Sequence, residues 1–415
     1  MSDRDMRWRA DEEAPVGVAG WAARAGERRL ARLGRTLAAR FGRDVLIATP
    51  GGGARPAPDP VAQADLSALA EALPASVLTT DETARDAAAA AGPIAALIRQ
   101  AEARPCALPA VLRPGPDDDV AAILTEAAAA GFEPEGPGTT ARARRPIGLD
   151  FTRWDDASGE GDRVLIGTGT SWTALGALAA RRGEGVPPRA LADRYPRPMD
   201  AVLAKAFEGA EVAWFRSLPQ SATLALPPRD VGVIDRSWMM RDAASAEAAL
   251  RRTLARYRPV LAETIPSLDA EALRAAGLWR GDRRSRRGGT GLRLVFEGTR
   301  TLRLAEVMSA SWAIERAGGR VCHRGPLPPS GALPALAVAA GAARVELPAL
   351  GELPKDAIPQ RRLVAVRGRT QESVVVWYPR DLSGSLDQLR AVQGEAPPRR
   401  DGWDAVREAL ERALP

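Results

Sequence analysis

The segment Gly167-Thr-Gly-Thr-Ser171 has the composition of an anion-binding turn. It follows the apolar run Arg163-Val-Leu-Ile and precedes a helical pattern over 172–182. A strand feeding a Gly-rich turn and then a helix presents backbone N–H groups and a positive helix end, which suits phosphate or carboxylate. Thr168, Thr170 and Ser171 add hydroxyls to the donors offered by Gly167 and Gly169. The alternative is a plain turn in which glycine permits the bend and Ser or Thr caps the helix. The motif has neither the last glycine of a dinucleotide fingerprint nor the Gly-Lys-Ser/Thr of a P-loop. It therefore gives no support to ATP or NAD, and no cofactor is assigned.

A second cluster is cationic. Arg280, Arg283, Arg284, Arg286 and Arg287 fall within eight residues, just before a predicted strand at 292–296. Guanidinium groups bind phosphate bidentately, so this loop is a candidate contact for a nucleic-acid backbone or an acidic protein surface. The alternative is a solvated surface loop. Cys322-His323 pairs a thiol with an imidazole in sequence, but neighbours on a strand point to opposite faces. Among the carboxylates, Asp155-Asp156, Glu297, Glu306 and Asp235 are acid/base candidates; Glu297 and Asp235 are placed at predicted strand ends.

Locally, Gly169-Thr-Ser-Trp-Thr-Ala-Leu-Gly-Ala-Leu-Ala179 after its apolar strand resembles the phosphate-binding turn of sugar isomerase domains, which grip sugar phosphates through Ser and Thr. The resemblance is confined to this short stretch. The second serine-rich turn of such domains has no good counterpart, since Leu218-Pro-Gln-Ser-Ala-Thr223 lacks glycine.

The elements that must position these residues can be read from composition and periodicity. The 415 residues are 45% hydrophobic and 27% charged, enough to build a sizeable core. Cations are almost all arginine, with lysine only at 205 and 355, and asparagine is absent. Such an Ala/Gly/Pro/Arg bias is what a GC-rich genome imposes, so the net charge of +6 is weak testimony for nucleic acid. Two distant cysteines and a single histidine write neither a disulfide framework nor a zinc site, and no metal is assigned. A charged start and the absence of long apolar runs predict a cytoplasmic protein with no membrane association.

Short strands alternating with helices predict an α/β fold: a mainly parallel sheet with helices on both faces, plus a C-terminal β-hairpin and helices. The hairpin is expected from 362–367 and 373–378 around Gly368, with helices at 383–392 and 402–413. Glycine/proline breaks divide the chain into an N-terminal helix–strand extension (1–60), a small α/β unit (61–140), a central α/β domain (147–278) and a C-terminal α/β region (292–415). An amphipathic helix is expected over 21–41 from Trp21, Leu30, Leu33, Leu37 and Phe41. Ten tryptophans against three tyrosines point to core and interface indoles. With no recognised catalytic signature, the first expectation is a non-catalytic binding or scaffold subunit of a bacterial assembly, holding a protein partner or nucleic acid through 280–287. The second is an α/β enzyme, isomerase or transferase in type, acting on a phosphorylated small molecule at 167–171.

Overall fold

The computed structural model describes residues 17–45, 66–81, 108–135, 146–279 and 289–380 apart from short breaks, with isolated helical positions between 84 and 98 and at 388–389. The described residues begin with α1 (Gly17–Ala25) and α2 (Glu27–Phe41). Gly26, at φ 79° and ψ 150°, divides what periodicity alone reads as a single helix. The expected apolar positions are nonetheless the buried ones: Leu30, Leu33, Leu37 and Phe41 all face inward.

Three sheets follow among the described residues. The first unit contains α3 (Ser67–Ala72), β1 (Leu78–Thr79), β2 (Val111–Leu112), α4 (Val120–Ala129), β3 (Glu133–Glu135) and β4 (Pro146–Leu149). Its order is β1-β2-β4-β3, with β4 parallel to both β2 and β3. Asp119 caps α4 by accepting from the amides of Ala121 and Ala122, as the aspartate run suggested. The second unit comprises β5 (Ala157–Glu160), β6 (Arg163–Gly167), α5 (Trp172–Arg182), α6 (Arg189–Arg194), α7 (Pro198–Leu203), β7 (Glu211–Phe215) and β8 (Leu218–Leu224). Its strands lie antiparallel in the order β5-β6-β8-β7.

The third and largest unit contains β9 (Gly232–Met240), α8 (Ala243–Leu254), β10 (Leu261–Ile265), α9 (Ser267–Ala275), β11 (Thr290–Gly298), α10 (Arg300–Arg316), β12 (Arg320–Arg324), α11 (Ala332–Ala339), β13 (Ala342–Leu347), β14 (Ile358–Val366) and β15 (Arg369–Pro379). Seven strands run in the order β12-β9-β11-β10-β14-β15-β13, and every neighbouring pair is antiparallel.

This corrects the mainly parallel sheet. β9 and β10 do run the same way, joined through α8, but β11 inserts between them and pairs antiparallel with both. The result is a split β-α-β arrangement, in which strand and helix alternate along the chain as they would in a parallel sheet. Among the described residues, parallel pairing is confined to β2, β4 and β3. The hairpin around Gly368 is present as β14 and β15, whereas the helix at 402–413 and most of 383–392 lie outside the described residues.

Strand alternation gives the large sheet two faces. Ile234, Trp238, Met240, Leu292, Leu294 and Phe296 pack on α8 and α10. The opposite face meets the second unit through Val233, Leu261, Val295, Val364 and Val366. Farther along, α1, α2, α9 and α11 cover Val375 and Trp377. Trp238, Trp279 and Trp377 are thus core residues, while Trp312 on α10 is 62% exposed beneath the Arg316 guanidinium. No helix among the described residues is long and apolar enough to cross a membrane.

Because α2 shares a core with β15, its packing is part of the main body. Leu33 is 1% exposed, so Leu33→Ala is expected to cost about 2–5 kcal/mol. Urea denaturation should show this as a lower midpoint of the main transition; an unchanged midpoint would detach the N-terminal helices from that body.

Candidate functional site

The covered face of the large sheet carries charge where apolar side chains would normally lie. Asp235 on β9, Arg293 on β11, Glu263 on β10, Arg362 on β14, and Arg344 and Glu346 on β13 form a continuous lattice. Arg293 grips Asp235 through Nε (3.1 Å to both oxygens) and Nη2 (2.5 Å), and turns Nη1 to Glu263 at 3.1 Å. Glu263 accepts from Arg362, which reaches Glu346 at 2.6 Å. Glu346 also accepts from Ser373 (2.7 Å) and from Arg194 of α6 (3.0 Å). At the far end Arg344 holds Asp269 of α9 at 3.0 and 2.6 Å, and Trp377 Nε1 donates to the same carboxylate at 2.8 Å.

Four arginines and four carboxylates make the lattice electrically neutral, which is what allows charge to persist there. Burial opposes ionisation of Glu263, but Arg362 and Arg293 outweigh it and bring its pKa down to about 2. Glu346 is likewise penalised by burial, yet Arg362, Arg194 and Arg344 hold it well below the ordinary range. Asp235 behaves differently: burial pushes it upward, and Arg293, its one strong partner and shared with Glu263, does not reverse the shift. The lattice opens toward Arg194 (20% exposed), Glu346 (21%) and Arg362 (15%).

A second cluster crowns the small parallel sheet. Arg113 directly follows β2 and Asp150 directly follows β4, so both stand at the C-terminal ends of adjacent parallel strands. This is where α/β sheets characteristically receive ligands. Arg113 Nε lies 3.2 Å from Asp150, and its Nη2 donates to Thr152 at 2.9 Å. Arg197, arriving from the second unit, reaches Asp150 at 3.5 Å. Arg153 spans Ser76 O, Arg113 O and Asp118 at 2.9, 3.0 and 3.3 Å. All three guanidinium groups remain partly open to solvent.

One short segment joins the two clusters. Arg194 enters the lattice and Arg197 the arginine edge; three residues of chain span roughly 10 Å at most. Its path is fixed by Trp172 Nε1, which donates to Tyr195 O at 2.9 Å, and by the Arg197 amide, which donates to Asp200. Burial pushes the Tyr195 phenol pKa upward, keeping it a neutral donor.

The Gly167–Ser171 turn sits behind this junction. A Cβ at Gly169 would collide with the Phe151 carbonyl oxygen, and one at Gly167 would lie 2.9 Å from Trp154 O. The glycines thus admit the 151–156 loop. Thr170 is buried, accepting from the Gly167 amide and donating to Asp156 O. Ser171 caps α5, and both its amide (2.7 Å) and hydroxyl (3.1 Å) donate to Asp155. Asp155 therefore occupies the helix end, and an external anion would have to displace it.

Arg280, Arg283, Arg284, Arg286 and Arg287 lie outside the described residues. Glu297 accepts from Arg367 at 3.1 Å. Cys322 is buried, and burial pushes its thiol pKa up to about 12, far from a nucleophile's. No metal-holding group of His, Cys, Asp and Glu occurs among the described residues. Asp235 lies mid-strand because β9 runs on to Met240, five residues beyond its expected end at that aspartate. The lattice itself went unread: an Arg or Glu between apolar residues in a strand has the signature of a solvent-facing position, and only the covering units bury it.

No protein-family profile and no curated protein matches the sequence. Solved structures do match. Two crystal forms of alkyldihydroxyacetonephosphate synthase superpose at TM-scores of 0.55 and 0.52, each at 11% identity. They cover 92% and 86% of this chain and 88% of the synthase chain in each case. A 4-ethylphenol oxidase from Gulosibacter chungangensis follows at TM-score 0.48 and 11% identity, covering 86% of this chain and 88% of that one. The chain shares the overall architecture of the synthase structures, a mixed α/β fold whose sheets are largely antiparallel. A fold shared nearly end to end with synthase chains overturns the expectation of a non-catalytic scaffold, complex subunit or protein-binding module.

Two outcomes test the lattice. Asp235→Ala leaves Arg293 half-compensated and is expected to cost about 3–5 kcal/mol, read as a lower urea midpoint at pH 7. Glu263 and Glu346 are depressed in the folded state, so their stabilisation is complete above the unfolded carboxylate pKa and lost as pH falls from about 4.5 toward 2. The melting temperature should fall through that window. Glu263→Gln should be less stable at pH 7 and flatter in acid; an equally steep acid limb in the variant would contradict the assignment.

Proposed function

We propose that the protein is an FAD-dependent oxidoreductase. In this reading the FAD diphosphate lies on the edge formed by Arg113, Arg153 and Arg197, and a polar substrate lies against the open end of the lattice. The observation that carries the reading is the placement of Arg113 and Asp150 at the C-terminal ends of neighbouring parallel strands, with Arg153 and Arg197 beside them. The architecture shared with FAD-binding oxidoreductase folds adds to it. The donor set fits: three partly exposed guanidinium groups face two carboxylates, Asp118 and Asp150, leaving a local positive excess suited to a diphosphate.

When bound, FAD supplies a two-electron acceptor, a capacity no side chain has. The protein's part is positioning and electrostatics. Arg194, Glu346 and Arg362 present both signs of charge at the partly exposed end of a rigid lattice, and so orient a polar substrate without rearranging. Tyr195, kept protonated by its burial, is a neutral hydrogen-bond donor at the same junction. The Trp172 bond to Tyr195 O holds the segment that connects cofactor edge and lattice.

Flavin binding to the purified protein tests this, with FAD, FMN and riboflavin compared by visible absorbance and fluorescence quenching. FAD is expected to bind tightest, and R113A/R197A to weaken it at least tenfold while leaving riboflavin binding unchanged. Absence of binding by every flavin, or an FAD affinity unmoved by the double substitution, would sink the reading.

A further inference from the structure

A half-open cavity of about 540 Å³ lies between the second unit and the tip of the β14–β15 hairpin, and it shares no lining residue with the clusters described above. Its apolar wall is made by Val202, Leu203, Phe207, Ala210 and Val212, and its charged rim by Lys205, Glu208, Arg367 and Arg369. The size is that of a small-molecule site.

Three features give this cavity a chemistry. Arg367 is fixed, its guanidinium donating to Ala206 O at 2.6 Å, Glu297 at 3.1 Å and Glu208 at 3.5 Å. Those contacts tie the hairpin tip to the second unit and compensate its charge. Lys205 and Arg369, in contrast, make no ion pair among the described residues, and the rim carboxylate Glu208 lies 3.5 Å from Arg367, so the rim carries an excess of positive charge.

The backbone supplies the second feature. Lys205 has φ 59° and Arg367 φ 44°, two of the three non-glycine residues with positive φ among the described residues. Lys205 follows the end of α7, and Arg367-Gly368 forms the two-residue turn of the hairpin; both positions favour glycine or asparagine. Cationic side chains stand there at a steric cost. Lys205 is, third, one of only two lysines in a chain of 58 basic residues. Lysine offers a mobile point charge that follows a phosphate more freely than a guanidinium fork.

We infer that this cavity is a binding site for a phosphate monoester of an apolar alcohol, its hydrocarbon body on Phe207 and Val212 and its dianionic head between Lys205 and Arg369. Two cations match a dianion, and the apolar side chains beside them accept a small hydrocarbon body. An occupant bridges the second unit and the large sheet beside the Arg367 tie, and so stabilises their junction. This site is independent of the flavin reading.

Isothermal calorimetry with 1-naphthyl phosphate on the full chain tests the inference, with inorganic phosphate and 1-naphthol as head-only and body-only probes. One-to-one binding of the ester is expected, at least tenfold tighter than either probe. K205E/R369E should lose at least tenfold in affinity with an unchanged melting temperature in the absence of ligand. The ester should raise the melting temperature of the parent protein and not of the variant. Inorganic phosphate binding as tightly as the ester, an affinity indifferent to the charge reversal, or no detectable binding would each overturn the assignment.

Discussion

Everything on the covered face of the large sheet depends on Arg293 being shared. A lone guanidinium buried to 3% exposure is untenable, and so is a lone carboxylate. Arg293 satisfies Asp235 and Glu263 together, Glu263 then needs Arg362, and Arg362 needs Glu346. The requirement travels strand by strand until Arg194, Glu346 and Arg362 reach partial exposure. Each strand's position in the sheet is thereby checked by charge as well as by hydrogen bonding. A one-residue slip would carry a charged side chain out of the lattice and onto the α8/α10 face.

The same constraint couples the units. Arg194 belongs to the second unit yet completes the lattice of the third, and Arg197 belongs to the second yet joins the edge of the first. Since Tyr195 lies between them, movement of that segment registers at both places. The junction of the three units is therefore tied by charge on both of its sides.

Much of the scaffolding was legible in the sequence. The stripe Leu30, Leu33, Leu37 and Phe41, the Asp119 cap and the runs at 163–166 and 292–296 carry local signals, and local signals suffice for elements. Strand direction did not follow, because β11 enters between β9 and β10 by a long-range pairing that leaves no mark on periodicity. The site was harder still. Gly167 and Gly169 are where they are to admit a neighbouring loop, and their letters equally fit a phosphate turn. Asp235, Arg293 and Glu346 look like exposed charges until tertiary packing closes over them.

The shared core of α2 and β15 also bears on the order of folding. Leu33 and Trp377 lie in one cluster although almost the whole chain separates them. As residues emerge during synthesis, α1 and α2 have no finished surface on which to settle until the last strands of the sheet arrive. Closing so long a loop is slow, and apolar faces wait uncovered in the meantime. The early helices thus reach their finished surface only after the last strands of the sheet have been made.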